Sequence, residues 1–298
     1  MAVTDKQMRL LIIDGHAFAY RAFYAIRGLN SPTGQPTNAI YGFINMLSKL
    51  EAQVLPTHSV VVWDGGLDEG RVEELDDYKA QRDPMPDEME VQLDAMVDYL
   101  EAEGWASVCD DGIEADDRSG QLTRSAEAEG FEVAIASSDK DFLQLINDRV
   151  KMWNPADKSG KPMDAEAVVA KTGVRPEQIV DWLSLVGDSA DNIPGVPGVG
   201  VKTAAVLLNE FGSVDELYQN LAKVSRDKLR EALAAAEADV RRNQSLVALK
   251  LDLPGEPELD DLRRGFHDSA RLEALYEAWG FNTLLKDLRE ARQGALFE

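Results

Sequence analysis

The sequence predicts an α/β fold, a doubly wound and mostly parallel sheet followed by a C-terminal helical region. Three observations predict it. Short apolar runs are near-continuous rather than alternating, as strands buried on both faces require. Helix-patterned stretches separate these runs, as in βαβ units. From about residue 164 onward the apolar residues recur at three and four, which is helical spacing throughout.

The expected strands are Arg9 to Asp14 (RLLIID), His58 to Asp64 (HSVVVWD) and Glu132 to Ser137 (EVAIAS). Helices are expected at about Tyr41 to Gln53, Glu88 to Glu103 and Asp116 to Glu129. The helical second half covers Pro176 to Val186, Lys202 to Phe211, Val214 to Leu221, Lys228 to Leu249 and Ser269 to Trp279, with Ala232 to Ala236 a good helix former. Between Asp64 and Glu88 lies a charged stretch, GGLDEGRVEELDDYKAQRDPMPDE, too polar to add much core. A long polar insertion just past a central strand is a candidate lid or substrate-gripping element.

Composition bounds the function. The 298 residues, 44% hydrophobic, can bury a sizeable core. The early apolar run Leu10 to Ile13 is too short for a signal peptide or a membrane span, so a cytoplasmic chain without a membrane partner is expected. One cysteine, Cys109, excludes an internal disulfide and a cysteine-rich metal site. The 54 acidic against 31 basic residues give a formal net charge of -23, which taken alone argues against a nucleic-acid partner. Either the acids gather at a cation site or they form a solvated coat, such as a salt-adapted host would favour. For most of them, surface solubility is the right reading.

The strands themselves identify the exceptions. LLIID ends on Asp14, VVVWD ends on Asp64, and VAIASSDKD runs into Asp139 and Asp141. In an open parallel sheet, residues beyond the strands' carboxyl ends converge on one crevice. Any one such Asp is more simply a helix N-cap, but three strands delivering acids to one place are harder to explain that way. Glu114, Asp116 and Asp117 open an expected helix, and Asp188 and Asp191 follow another. Singly, these are an acid-rich helix start and an ordinary turn. Together, so many carboxylates would repel at a cost of several kcal/mol without hard divalent cations. The three histidines are scattered, so all-oxygen ligation favours Mg²⁺, with Mn²⁺ as substitute, over Zn²⁺. Two such ions about 4 Å apart serve phosphodiester hydrolysis.

Asn192 to Ala205, NIPGVPGVGVKTAA, supplies a backbone grip. Gly195, Gly198 and Gly200 at a helix start leave N–H groups open to a phosphate, Lys202 adds a charge and Thr203 a hydroxyl. A lone G-x-G would be an ordinary turn. The full pattern is that of a helix-hairpin-helix, which holds sugar-phosphate without reading sequence.

These motifs resemble the 5′ nuclease superfamily of flap endonucleases, and most closely the 5′-3′ exonuclease domain of bacterial DNA polymerase I and its free-standing relatives. The residues carrying the resemblance are DGHAFAYRAFYA from Asp14, the Asp64 strand end, RVEELDDYKAQR from Arg71, GIEADD to Asp117, SSDKDFLQL from Ser137 and GDSADNIPGVPGVGVKTA from Gly187. It implies a PIN/resolvase-like catalytic core over 1–170 with a helical arch at 65–90, and a DNA-binding region over 171–298 with the hairpin at 187–211. It also implies metal carboxylates at Asp14, Asp64, Glu114, Asp116, Asp117, Asp139, Asp141, Asp188 and Asp191. Lys79 and Arg82 would act in catalysis, Arg21, Arg71 and Tyr78 on DNA, and K⁺ at the hairpin carbonyls. The implied partner is DNA with 5′ flaps, nicks or RNA primers, handled by a monomer in functional partnership with a DNA polymerase. Two departures stand out: Arg118 and Ser119 follow ADD where apolar residues are usual, with Arg118 expected to point outward, and Val201 replaces an acid or proline. The chain stops at residue 298 without a polymerase domain, as a free-standing nuclease or an excised fragment would, and the ending ALFE favours the former. A junction-binding protein without activity and an RNA-processing nuclease are the rival classes. The full carboxylate set opposes the first and the hairpin opposes the second.

Overall fold

The computed structural model describes residues 7–157 and 159–294, so the closing ALFE lies outside the described residues. Five parallel strands, β1 (Arg9–Asp14), β2 (His58–Trp63), β3 (Ala106–Cys109), β4 (Glu132–Ala136) and β5 (Val150–Trp153), form a sheet in the order β3-β2-β1-β4-β5. The chain winds one way from β1 to β3 and the other way through β4 and β5, so the reversal lies beside β1. The three expected strands are the three central ones. Sequence reading missed the two edge strands because each has four residues and only partial burial, in ASVC and VKMW.

Period-two alternation splits each central strand between two cores. Leu11, Ile13 and Val61 pack with Phe43, Leu47 and Met96 on one face. That layer holds α1 (Gly15–Ala25), α2 (Asn38–Val54) and α4 (Asp87–Glu103). Leu10, Ile12, Val60, Val133 and Ile135 pack with Leu122, Phe142 and Leu183 on the other. Here lie α5 (Ala115–Ala128), after the short α3 (Glu69–Glu74), and most of the later helices. These are α6 (Ala165–Thr172), α7 (Ile179–Val186), α8 (Val201–Phe211), α9 (Val214–Gln219), α10 (Asp227–Ala235) and α11 (Glu237–Val247). The last two helices, α12 (Ser269–Trp279) and α13 (Asn282–Gly294), return to the first face, where Leu272, Trp279 and Leu285 join the Phe43 core.

Three expectations need correction. The second half is not wholly helical: β6 (Gly187–Asp188) and β7 (Ile193–Pro194) pair antiparallel around the turn carrying Asp188 and Asp191. Helix α1 was missed, although Asp14 caps it by accepting from Ala17 N. The run Lys228 to Leu249 breaks at Ala236, inside the alanine-rich stretch, because the chain turns there to bury Leu233 and Val240 together. Propensity carries no trace of such a tertiary demand.

Candidate metal centre and nucleic-acid interface

The candidate site assembles at the winding reversal, where β2, β1 and β4 lie side by side. Asp14 closes β1, Asp64 follows β2, and Ser137 follows β4. Ser137 ties the strands' ends together: its hydroxyl donates to Asp14 Oδ2 at 2.7 Å and accepts from Asp139 N at 3.0 Å. Asp139 Oδ1 in turn accepts from Asp141 N at 2.9 Å. Asp116 enters from the first turn of α5. Asp141, Asp188 and Asp191 are all buried and can each present an oxygen within 4.8 Å of the others.

The electrostatics of this cluster follow from its geometry. Burial, augmented by Asp139 and Asp64, pushes the Asp14 carboxyl up to about 6. Burial raises Asp116 well above the carboxylate range, with Asp139, Asp14 and Asp141 adding repulsion. Asp141 rises likewise through burial and then through Asp139, Asp188 and Asp191. Burial also raises Asp191, against the pull of Lys79 and Arg82.

The nine carboxylates fall into two groups. Among the described residues, Asp14, Asp64, Asp116, Asp139 and Asp141 have no side-chain cation within 4.0 Å, whereas Asp117, Asp188 and Asp191 each have one and Glu114 has two. Asp64 Oδ1 and Asp141 Oδ1 are buried without any hydrogen-bond partner. Orphaned, mutually repelling oxygens of this kind fit hard divalent cations. Asp117 fits poorly as a direct ligand. Both its oxygens accept from Arg71, at 2.8 and 2.7 Å, and Oδ1 also accepts from Lys250 N at 2.9 Å. Glu114 Oε2 accepts from Lys79 Nζ at 2.7 Å, Arg71 Nη1 at 3.0 Å and Tyr78 Oη at 3.1 Å. These two acids, expected among the metal carboxylates, here anchor the segment that follows β2.

That segment is not the expected helical arch. Only α3 is helical between Asp64 and α4, and Tyr78 to Arg82 runs through successive turns, with Lys79 in the left-handed region at φ 53. Glu114 accepts from Arg71, Tyr78 and Lys79 together and so holds this segment against the core. Arg71 and Tyr78, 3% exposed each, thus face the protein interior rather than DNA. Lys79 is buried as well. Arg82 is different: its side chain is 46% exposed while Nη2 donates to Asp191 at 2.8 Å. Arg21 is exposed on α1, among the described residues without an acidic partner. Arg118 does not point outward as expected. It is buried, pairing with Asp110 and donating to Gln121 and the Pro254 carbonyl, away from the carboxylate cluster.

At the hairpin, Gly198 has φ +80 and follows Pro197 in the turn closed by Val199 N to Val196 O at 2.9 Å. Gly200 caps α8 without a side-chain hydrogen bond, and open space surrounds its missing Cβ. The first N–H groups of α8, those of Lys202 and Thr203 among them, thus lack intrahelical acceptors. Lys202 is exposed and Thr203 half-buried. Gly195 is a correction: a Cβ there would meet Val186 O at 2.1 Å, so this glycine packs α7 against the hairpin rather than opening backbone to a phosphate.

Two family models cover almost all of this architecture. The 5′-3′ exonuclease N-terminal resolvase-like domain matches residues 9–173, and the 5′-3′ exonuclease C-terminal SAM fold matches 174–270. This chain belongs to the 5′-3′ exonuclease family. A 5′-3′ exonuclease of Aquifex aeolicus is 38% identical over 97% of this chain and 99% of its own. DNA polymerase I of Bacillus caldotenax is 38% identical over 94% of this chain, which spans 32% of that protein. In structure, the bacteriophage T5 flap endonuclease in a pseudo-enzyme-product complex with DNA and metal ions aligns at TM-score 0.68 and 21% identity, over 95% of this chain and 98% of that one. The catalytic core of Rad2 in complex with DNA substrate aligns at TM-score 0.60 and 18% identity, over 91% and 87%. At such identities these two structures establish likeness of fold.

Several residues at this family member's site went unnoticed in the sequence. Ser137 sits inside the quoted SSDKD, where only the acids drew attention. Lys140, between Asp139 and Asp141, places Nζ 2.6 Å from Asp188 Oδ1. On α1, Tyr20 and Tyr24 lie four residues apart with rings 6.4 Å apart and 16° from parallel, and Tyr24 is 65% exposed. Burial and Tyr24 raise the Tyr20 phenol, and the Arg82 charge offsets part of that. Spacing of four was the available signal.

Proposed function

We propose that this chain is a structure-selective, Mg²⁺-dependent 5′-3′ exonuclease and flap endonuclease that hydrolyses phosphodiester bonds in DNA. One observation carries the reading: five carboxylates with no cation partner among the described residues converge at the winding reversal, two of them with orphaned buried oxygens. A binding protein without catalysis gains nothing from that repulsion. Asp14, Asp64, Asp116 and Asp139 would hold one ion, and Asp141, Asp188 and Asp191 a second. Bound there, divalent cations supply charge to activate water and to stabilise the leaving oxygen.

The chain's own residues handle the substrate. The N-terminus of α8, with Gly198, Gly200, Lys202 and Thr203, grips the duplex backbone without regard to sequence, with K⁺ assisting at the hairpin carbonyls. Arg82, exposed at the cluster's rim, draws the scissile phosphate inward and stabilises its developing charge. Lys79 joins it after leaving Glu114. Arg21 with Tyr20 and Tyr24 offers charge and aromatic faces to an unpaired strand. In the cell the reading implies a cytoplasmic monomer that removes primers and 5′ flaps during replication and repair, working beside a DNA polymerase.

A 5′-labelled flap duplex and a single-stranded RNA, each incubated with and without Mg²⁺, test the proposal. Cleavage of the flap alone, and only with Mg²⁺, is expected. Binding without cleavage would establish the inactive junction binder, and cleavage of RNA alone would establish the RNA-processing rival.

A further inference from the structure

Four acids near the cluster are already neutralised by side chains, and one of these neutralising contacts differs from the rest. Arg71 and Lys79 are fully buried on Glu114 and Asp117, and Arg82 reaches Asp191 from the neighbouring segment. Lys140 alone belongs to the ligand-bearing strand end itself. Its backbone is held between Asp139 and Asp141, where Asp141 N donates to Asp139 Oδ1 and Leu143 N to the Lys140 carbonyl. Its ammonium lies 2.6 Å from Asp188 Oδ1, and its side chain remains 32% exposed while Asp188 is 3% exposed. Asp188 Oδ1 also accepts from Ala190 N at 2.9 Å, so the carboxylate keeps its position when the lysine leaves. Beside it, Asp141 Oδ1 is buried with no partner.

We propose that Lys140 is a tethered counter-ion of the Asp141, Asp188 and Asp191 group, a positioning residue that competes with a divalent cation there and keeps that ion's affinity low. The inference rests on the metal reading given above. A lysine ammonium is a compact point charge on a flexible stem, suited to leave and return without disturbing the fold. Anchored between two candidate ligands, it competes at the high effective concentration of an intramolecular partner. An occupancy of about nine-tenths for Lys140 on Asp188 would lower the apparent affinity of an ion for this group about tenfold. Asp14, Asp64 and Asp116 have no such competitor among the described residues, so the two halves of the cluster differ in affinity.

The test is Mn²⁺ binding to the metal-free full chain, followed by the electron paramagnetic resonance of free Mn²⁺ at constant ionic strength. The wild type should show a tighter and a weaker class. Lys140→Met and Lys140→Gln should tighten the weaker class about tenfold and leave the tighter one within twofold, whereas Lys140→Arg, which keeps the charge, should stay near wild type. Unchanged or weakened binding in both neutral variants overturns the proposal while leaving the metal reading intact. A wild type that takes up no Mn²⁺ at all overturns the metal reading and the proposal with it. Circular dichroism melting of each variant separates lost binding from lost fold.

Discussion

Asp14→Asn should stabilise the metal-free protein at pH 7.5 while weakening its response to Mg²⁺. Asp14 is 8% exposed and its carboxyl is pushed up to about 6 by burial, with Asp139 and Asp64 adding to the effect, against an ordinary value of 3.8. A raised carboxyl pKa means the folded state holds a proton that the unfolded chain has released. The associated stability is present below about pH 4 and is lost as the pH rises through about 6. Above that, ionised Asp14 costs on the order of 3 kcal/mol. Asparagine removes the charge and keeps an oxygen for Ala17 N. Its amide must then donate to Ser137 Oγ, a hydroxyl that can turn to accept, at a cost of about 1 kcal/mol. The net gain of about 2 kcal/mol corresponds to roughly 3 °C in Tm for a chain of this size. Thermal melts in EDTA at pH 7.5 and pH 4, and in Mg²⁺ at pH 7.5, read all three quantities. The variant should melt higher only at pH 7.5, and Mg²⁺ should raise its Tm by less than that of the wild type. A variant that is equally destabilised at both pH values would sink the argument, because Asp14 would then be a structural cap and not a repelled ligand.

Asp64→Asn and Asp117→Asn should part company. The first should lose cleavage with an unchanged Tm, whereas the second breaks the buried Arg71 pair and should cost about 3 kcal/mol of stability in denaturant titration. Equal stability of the two variants would return Asp117 to the direct ligands. Lys79→Ala and Arg82→Ala should each slow single-turnover flap cleavage by roughly a hundredfold, as loss of a charge-stabilising donor does, with duplex affinity retained; parental rates in both would make this segment only a loop. Gly198→Val should weaken duplex binding across all sequences. Lys202→Ala should do the same and lower the salt slope by about one unit, and unchanged affinity in both would remove the hairpin from the DNA interface.

What could be read from the sequence alone was what depends on periodicity and on the ends of elements. Near-continuous apolar runs marked the three central strands, and their final residues Asp14 and Asp64 marked the crevice, because a parallel sheet delivers its strand ends to one side. The glycines of the hairpin were equally legible. Their separate roles were not, since only packing distinguishes Gly195, pressed against the Val186 carbonyl, from Gly200, open to approach. Charge was the least legible property. In sequence, Asp117 and Asp116 are adjacent and chemically identical, yet one is enclosed by Arg71, 46 residues away, and the other faces Asp139 and Asp14. Composition and spacing specify how many carboxylates a chain carries and roughly where they gather. Tertiary structure alone decided which of them meet a cation of the chain's own, because ion pairing depends on distances of a few ångströms between residues far apart in the chain.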